Sequence, residues 1–192
     1  MKTIVALLTI FMVKNVMSIE TLDYDVIRKD RRIEIRQYKE HITASVTFET
    51  KEELDRLGFR TLADYIFGNN ISMTSPVLTK GEKIAMTTPV LSGETNSSWT
   101  MSFSMPQKYT LETLPTPNNN KVIIEKVPAK KFAAIRFSGF MSDKNYSRYD
   151  NVLRLWLKEN NVSIAGGTIR AGYNPPWTLP FLRRNEVLIQ IK

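Results

Sequence analysis

The chain has 192 residues, 42% of them hydrophobic and 24% charged, with a formal net charge of +8. That length suits one large domain, or two small ones sharing a core, and buries enough surface to need no covalent or metal staple. It has no cysteine and one histidine, His41, which excludes disulfides, cysteine zinc sites, iron–sulfur clusters, thiol catalysis and covalent haem attachment, and leaves little for a histidine metal cage.

Residues 1–18 differ in composition from the rest. Lys2 is followed by an uncharged, mostly apolar run from Thr3 to Val13, which Lys14 interrupts. A helix needs ~20 apolar residues to cross a bilayer, so this run is short for an anchor. It suits a secretory signal, with Val16 and Ser18 as small cleavage residues before Ile19. The expectation is a signal peptide or N-terminal hydrophobic segment over 1–18 and a folded domain over 19–192. The protein is then exported, periplasmic or extracellular, or anchored by its N-terminus, with membrane association through residues 3–13.

Ile33, Ile35 and Gln37 alternate with Glu34, Arg36 and Tyr38, which predicts a half-buried strand, and Ile42, Ala44, Val46 and Phe48 predict a second. Leu54, Leu57, Leu62, Tyr65 and Ile66 fall close to helical spacing within Glu52–Phe67. Thr50 with Glu53 resembles a capping box, and Gly68-Asn69-Asn70 ends the helix. The segment Ile71–Thr79 is then echoed by Ile84–Ser92 across a turn at 80–83. This predicts a hairpin or extra loop, or alternatively a methionine-lined lip for an apolar ligand. A strand follows through Met101, Phe103 and Met105, and a polar, proline-containing stretch at 115–120 divides the chain. Strands at Val122–Ile124 and Phe132–Phe137 lead to a second helix over Lys144–Glu159, capped by Ser142 or Asp143 and stopped by Asn160-Asn161. Ile169 and Ala171, then Val187, Ile189 and Ile191, mark the last strands.

Strand–strand–helix–strand–strand thus occurs twice. The order predicts an α+β domain of two pseudo-symmetric halves, each contributing one helix. No glycine-rich turn joins a strand to a helix, so a nucleotide-binding fold is not expected. The basic residues are scattered, as in 28–32, Lys130-Lys131 and Arg183-Arg184. They read as solvated faces, and no nucleic-acid partner is expected. Four Asn-x-Ser sequons stand at Asn70, Asn96, Asn145 and Asn161, relevant only in a host that glycosylates secreted proteins.

Four separated motifs, in order, resemble the SOUL haem-binding protein family. Tyr24–Lys29 with Ile33-Glu34-Ile35-Arg36-Gln37-Tyr38 resembles its opening. Phe59–Asn69 resembles its first helix, and Lys83–Val90 its Met-Thr-x-Pro-Val signature. Ala171–Phe181 with Arg183–Val187 resembles its closing motif. The resemblance spans roughly residues 20–192. It implies a distorted β-barrel of about eight strands with two helices, similar to effector-binding domains. It also implies non-covalent binding of haem or other porphyrins, with no catalytic activity established for the family as a whole. Some members carry a histidine between the Arg and Tyr of the opening motif; here that residue is Gln37. His41 lies four residues on, ~13 Å further along a strand, so it is only a secondary candidate for an iron ligand and no metal site is expected.

Matching the family's first helix onto this chain implies a haem-binding site at Arg56, Phe59, Arg60 and Ala63. Arg56 and Arg60 are one turn apart and suit two propionates. Phe59 would stack on the ring and Ala63 admit its edge. Met73 and Met86 would wall the cleft or offer a weak thioether ligand. Against this, the arginines also suit a solvated face paired with Glu52, Glu53 or Asp64, Phe59 also suits the core, and His41 an exposed hairpin. Tyr173, Pro175-Pro176 and Trp177 read as a structural corner that buries its aromatics and is locked by Arg183–Glu186. The leading function is a monomeric, non-enzymatic carrier of tetrapyrrole. The alternative is a sensor of amphipathic cations, or a protein-interaction module, on the same fold; the sensor needs a buried acid, for which Glu34, Glu125 and Glu186 are candidates. No acid–base constellation supports an enzyme.

Overall fold

The computed structural model describes residues 21–68, 84–95 and 97–192. The hydrophobic segment at 1–18, Met73, the first copy of the repeat and the sequons at Asn70 and Asn96 lie outside the described residues.

Nine strands form one antiparallel sheet: β1 (Tyr24–Asp30), β2 (Ile33–Tyr38), β3 (His41–Phe48), β4 (Val90–Thr95), β5 (Ser98–Ser104), β6 (Ile123–Val127), β7 (Lys130–Phe137), β8 (Ile164–Gly172) and β9 (Asn185–Ile191). Their order is β1-β2-β7-β9-β8-β4-β5-β3-β6. A pseudo-twofold between β4 and β8 exchanges β5 with β9, β3 with β7 and β6 with β2. The repeated element order of the sequence is therefore the symmetry of the sheet, with the first strand of each half, β2 or β6, exchanged to the other. The sheet curls into a half-barrel, and among the described residues no ladder joins β1 to β6. The strand beyond the expected eight is β1, which lies almost wholly exposed at the edge.

Each half packs one helical segment on the sheet. After β3 come α1 (Lys51–Glu53), a π-helical stretch (Leu54–Gly58) and α2 (Phe59–Ile66); after β7 comes α3 (Asp143–Glu159). The Thr50 side chain accepts from the Glu53 N–H at 3.2 Å and caps the first segment, as Ser142 does for the Asn145 N–H at 3.3 Å in α3. Gly68, at φ 80°, ends the first segment in the left-handed conformation that glycine adopts without penalty. Leu54, Leu62, Tyr65 and Ile66 pack on Ala44, Val46 and Phe103; Tyr146, Leu153 and Leu157 pack on Ile135, Val187 and Ile189. Each such side chain contributes about 1.5–3 kcal/mol by leaving water.

Two local expectations change. The first helix is not regular, because five residues wind as a π-helix centred on Arg56. Gly58 closes this stretch: a Cβ there would meet Leu54 Cδ1 at 3.0 Å and Met101 Cε at 3.5 Å, so a larger residue would press on the Leu54 side chain. In β2 the alternation misplaces the faces. Arg36 and Tyr38 are buried while Gln37 is half-buried, because Arg36 meets a carboxylate 150 residues away.

Candidate functional site

That carboxylate is Glu186, on β9. Arg36 is 3% exposed and Glu186 is fully buried. Arg36 donates bidentately to it, Nη1 to Oε2 at 2.6 Å and Nη2 to Oε1 at 3.1 Å. Arg184 adds Nε at 3.0 Å and Nη2 at 2.8 Å, and the Tyr173 hydroxyl donates at 2.8 Å. Burial pushes the Glu186 carboxyl up, but the hydrogen bonds and charge of Arg36, then Arg184, outweigh it and hold it below the usual range. Burial, then the Glu186 charge, pushes the Tyr173 hydroxyl far up, so it remains a donor. The closing motif thus locks a corner, completed by the Arg184 N–H to Asn174 Oδ1 at 2.6 Å. Trp177 is a correction: it is 82% exposed and buries little of its ring, because it stands within the turn that the Thr178 N–H closes on the Pro175 carbonyl at 3.0 Å.

The residues expected to hold a ring fall on the first helical segment. Arg56 and Arg60 are exposed, and among the described residues neither has a hydrogen-bond or ion-pair partner; Glu52, Glu53 and Asp64 do not pair with them. Phe59, between them in sequence, is half-exposed and makes an edge-type contact with buried Phe103, centroids 5.5 Å apart at 64°. It is therefore both core cover and outer surface. Ala63 is buried one turn on. Met86 is half-buried against the core cluster to which Leu54, Leu62 and Ile66 also belong.

His41 is not on a free hairpin. It opens β3 and lines a cavity of about 630 Å³ with Lys39, Ser104, Met105, Tyr109 and Lys126. Its Nδ1 lies 2.8 Å from the Lys39 carbonyl oxygen. A carbonyl only accepts, so Nδ1 carries the proton and Nε2 the lone pair. Burial, with the Lys130 charge, lowers its pKa, while that hydrogen bond raises it; the net shift is downward and keeps the ring neutral. In the same wall the Ser104 hydroxyl is buried without a partner among the described residues. The cavity lysines are already paired, Lys39 with Asp23 at 3.0 Å and Lys126 with Glu40 at 2.7 Å. Arg56, Phe59, Arg60, Ala63 and Met86 line neither this cavity nor a second one of about 650 Å³ beside Arg36.

The chain is a curled antiparallel sheet carrying one helical segment per half. The family model described as SOUL heme-binding protein matches residues 19–190, and the chain belongs to that family. Among solved structures, the EcmrR C-terminal domain is similar at 12% identity and TM-score 0.55, over 88% of this chain and 98% of that one. EcmrR in its complex with DNA matches at 11% identity and TM-score 0.58, over 83% of this chain and 57% of that one. A protein described as a hydrolase from Listeria innocua matches at 13% identity and TM-score 0.58, over 86% of this chain and 94% of that one. These likenesses concern the fold. No curated protein matches the sequence.

Sequence reasoning located the first helical segment but missed its π-helical turn. It also missed the cavity at His41 and the Arg36–Glu186 pair. Gly58 was the available signal for the turn. For the pair there was none beyond an arginine out of phase in an apolar strand.

Proposed function

We propose that the protein binds haem or a related tetrapyrrole non-covalently, without transforming it, and that the outer face of the first helical segment neutralises the ring carboxylates. One observation carries this reading. Arg56 and Arg60, four residues apart on the first helical segment, are exposed with no partner among the described residues, and Phe59, between them in sequence, is half-exposed. Guanidiniums without carboxylates are ready for two propionates, and a half-exposed aromatic ring suits the face of a macrocycle. The π-helical stretch supports it as well, since such turns recur at functional sites. The residues present fit the group. Arg56 and Arg60 would orient it by its carboxylates, Phe59 would exclude water from one face, and Met86 would stay in the floor.

A second placement rests on His41. Its Nε2 lone pair and the adjoining cavity suit a ring held through its iron. Parallel titrations with hemin and metal-free protoporphyrin IX separate the two. The helix face predicts affinities within about tenfold of each other. A large preference for hemin that His41→Ala removes would move the ring to the cavity.

The amphipathic-cation reading finds less support. Glu186 is the buried acid it needs, but Arg36 and Arg184 already bracket that carboxylate. A cation entering there gains no net negative charge. Retention of a hydrophobic cation that Glu186→Gln abolishes would restore that reading.

A further inference from the structure

Two neighbouring loops expose a group of large apolar side chains. Trp177 is 82%, Phe181 70% and Phe140 63% exposed, and Leu179, Leu182 and Met141 are exposed as well. The loops are fastened together. The Gly139 N–H donates to the Pro180 carbonyl at 2.8 Å, and Asn185 Nδ2 donates to the Gly139 carbonyl at 3.1 Å. Arg183 Nε donates to the Thr178 carbonyl at 2.7 Å while its guanidinium lies 5.8 Å from the centre of the Phe140 ring. The projecting side chains thus stand on a braced turn.

An excess of basic charge flanks them, since the two carboxylates of the adjoining cleft, Glu34 and Glu186, are paired with Lys29, Arg36 and Arg184. Phe181, Leu182 and Arg183 share the 650 Å³ cleft with Arg31, Arg32 and Arg136. Among the described residues none of these four arginines has a carboxylate partner, and Arg183 is bonded only to neutral carbonyls.

We propose that this surface docks the protein onto an anionic lipid bilayer, with Trp177, Phe181 and Phe140 entering the headgroup–acyl boundary and Arg31, Arg32, Arg136 and Arg183 meeting lipid phosphates and carboxylates. Amphipathic aromatics beside unpaired cations are the chemistry of interfacial binding. The shape agrees. Side chains this exposed project from the surface, as interfacial anchors do. Nucleic acid would use the arginines and stack on the rings but leave Leu179, Leu182 and Met141 in water. A bilayer covers all of them. Among the described residues no helix is long and apolar enough to cross a membrane, so the contact is a surface one. It is independent of the helix face assigned to the tetrapyrrole.

The test is sedimentation of the full chain with vesicles of mixed phosphatidylserine and phosphatidylcholine, or of phosphatidylcholine alone. Comparison of variants with the parent chain cancels any contribution of residues 3–13. Stronger binding to the serine-containing vesicles is expected, weakening as salt rises. Trp177→Ser with Phe181→Ser should lower partitioning to either vesicle by at least about tenfold. Arg31→Ala with Arg32→Ala should lower it only on anionic vesicles, by about fivefold per residue. All four side chains are exposed, so circular dichroism should stay that of the parent chain. Partitioning unchanged in both double variants overturns the proposal. So does a dimer that both variants abolish, or hemin binding lost in both, while vesicle binding persists; these would assign the surface to a second copy or to the tetrapyrrole.

Discussion

Replacing Arg36 by methionine removes the guanidinium that meets Glu186 at 2.6 and 3.1 Å and leaves the carboxylate fully buried. Breaking a buried ion pair from one side costs about 3–5 kcal/mol, because the remaining charge keeps its desolvation cost without its attraction. Here Arg184 at 2.8 Å and Tyr173 at 2.8 Å still face Glu186, so Arg36→Met should fall at the low end, about 3 kcal/mol. Glu186→Gln is worse. It strands Arg36, only 3% exposed, with Glu34 as its one remaining carboxylate at 2.8 Å, and takes the counter-charge from Arg184 too. About 4 kcal/mol is expected. Against a total stability of about 5–15 kcal/mol, either change brings the domain near unfolding. Combining Arg36→Met with Glu186→Gln should cost less than the sum of the single changes by about 1–3 kcal/mol, since neither partner of the pair is left charged. Urea denaturation followed by circular dichroism measures all three. Single variants within about 0.5 kcal/mol of the parent chain, the range of ordinary surface changes, would refute the reasoning.

The same carboxylate sets an acid limit. Its folded pKa lies below its ordinary value of 4.5, so the stability it contributes is complete above that value and is lost as pH falls through the lower folded one. Thermal melts at decreasing pH should show this loss, and Glu186→Gln should flatten it. Gly58→Ala places a Cβ 3.0 Å from Leu54 Cδ1; a destabilisation of about 1 kcal/mol in urea is expected, with hemin affinity reduced if the π-helical turn shapes the site. Leu153→Ala, at a fully buried position under α3, should cost about 2–5 kcal/mol by the same measurement and leave hemin affinity unchanged.

The fold was legible in the sequence wherever one face of an element is buried. Leu54, Leu62 and Ile66 mark the first helical segment, and Leu153 and Leu157 the second. Thr50, Ser142 and Gly68 punctuate them, because caps are local chemistry. β1 was not legible as a strand by alternation, since an edge strand with exposed residues such as Val26 and Ile27 has no inner face to mark it. Arg36 and Tyr38 were assigned to the wrong face, because the partner that makes an inward arginine tolerable is Glu186, remote in sequence. The site was legible only in part. Helical spacing puts Arg56 and Arg60 on one face, but that they lack partners is a tertiary fact. His41 read as a lone surface residue because the Ser104, Met105 and Tyr109 walls come from elsewhere in the chain. Trp177 read as core because an aromatic beside two prolines usually is.

The most direct measurement of the central claim is an absorption titration of hemin into the parent chain, Arg56→Ala with Arg60→Ala, and His41→Ala. Two partly exposed charge pairs contribute about 1 kcal/mol each. The arginine variant should therefore bind roughly 30-fold more weakly, while His41→Ala keeps the parent affinity and Soret spectrum. Unchanged affinity in the arginine variant, with loss of binding and an altered Soret band in His41→Ala, would contradict the account.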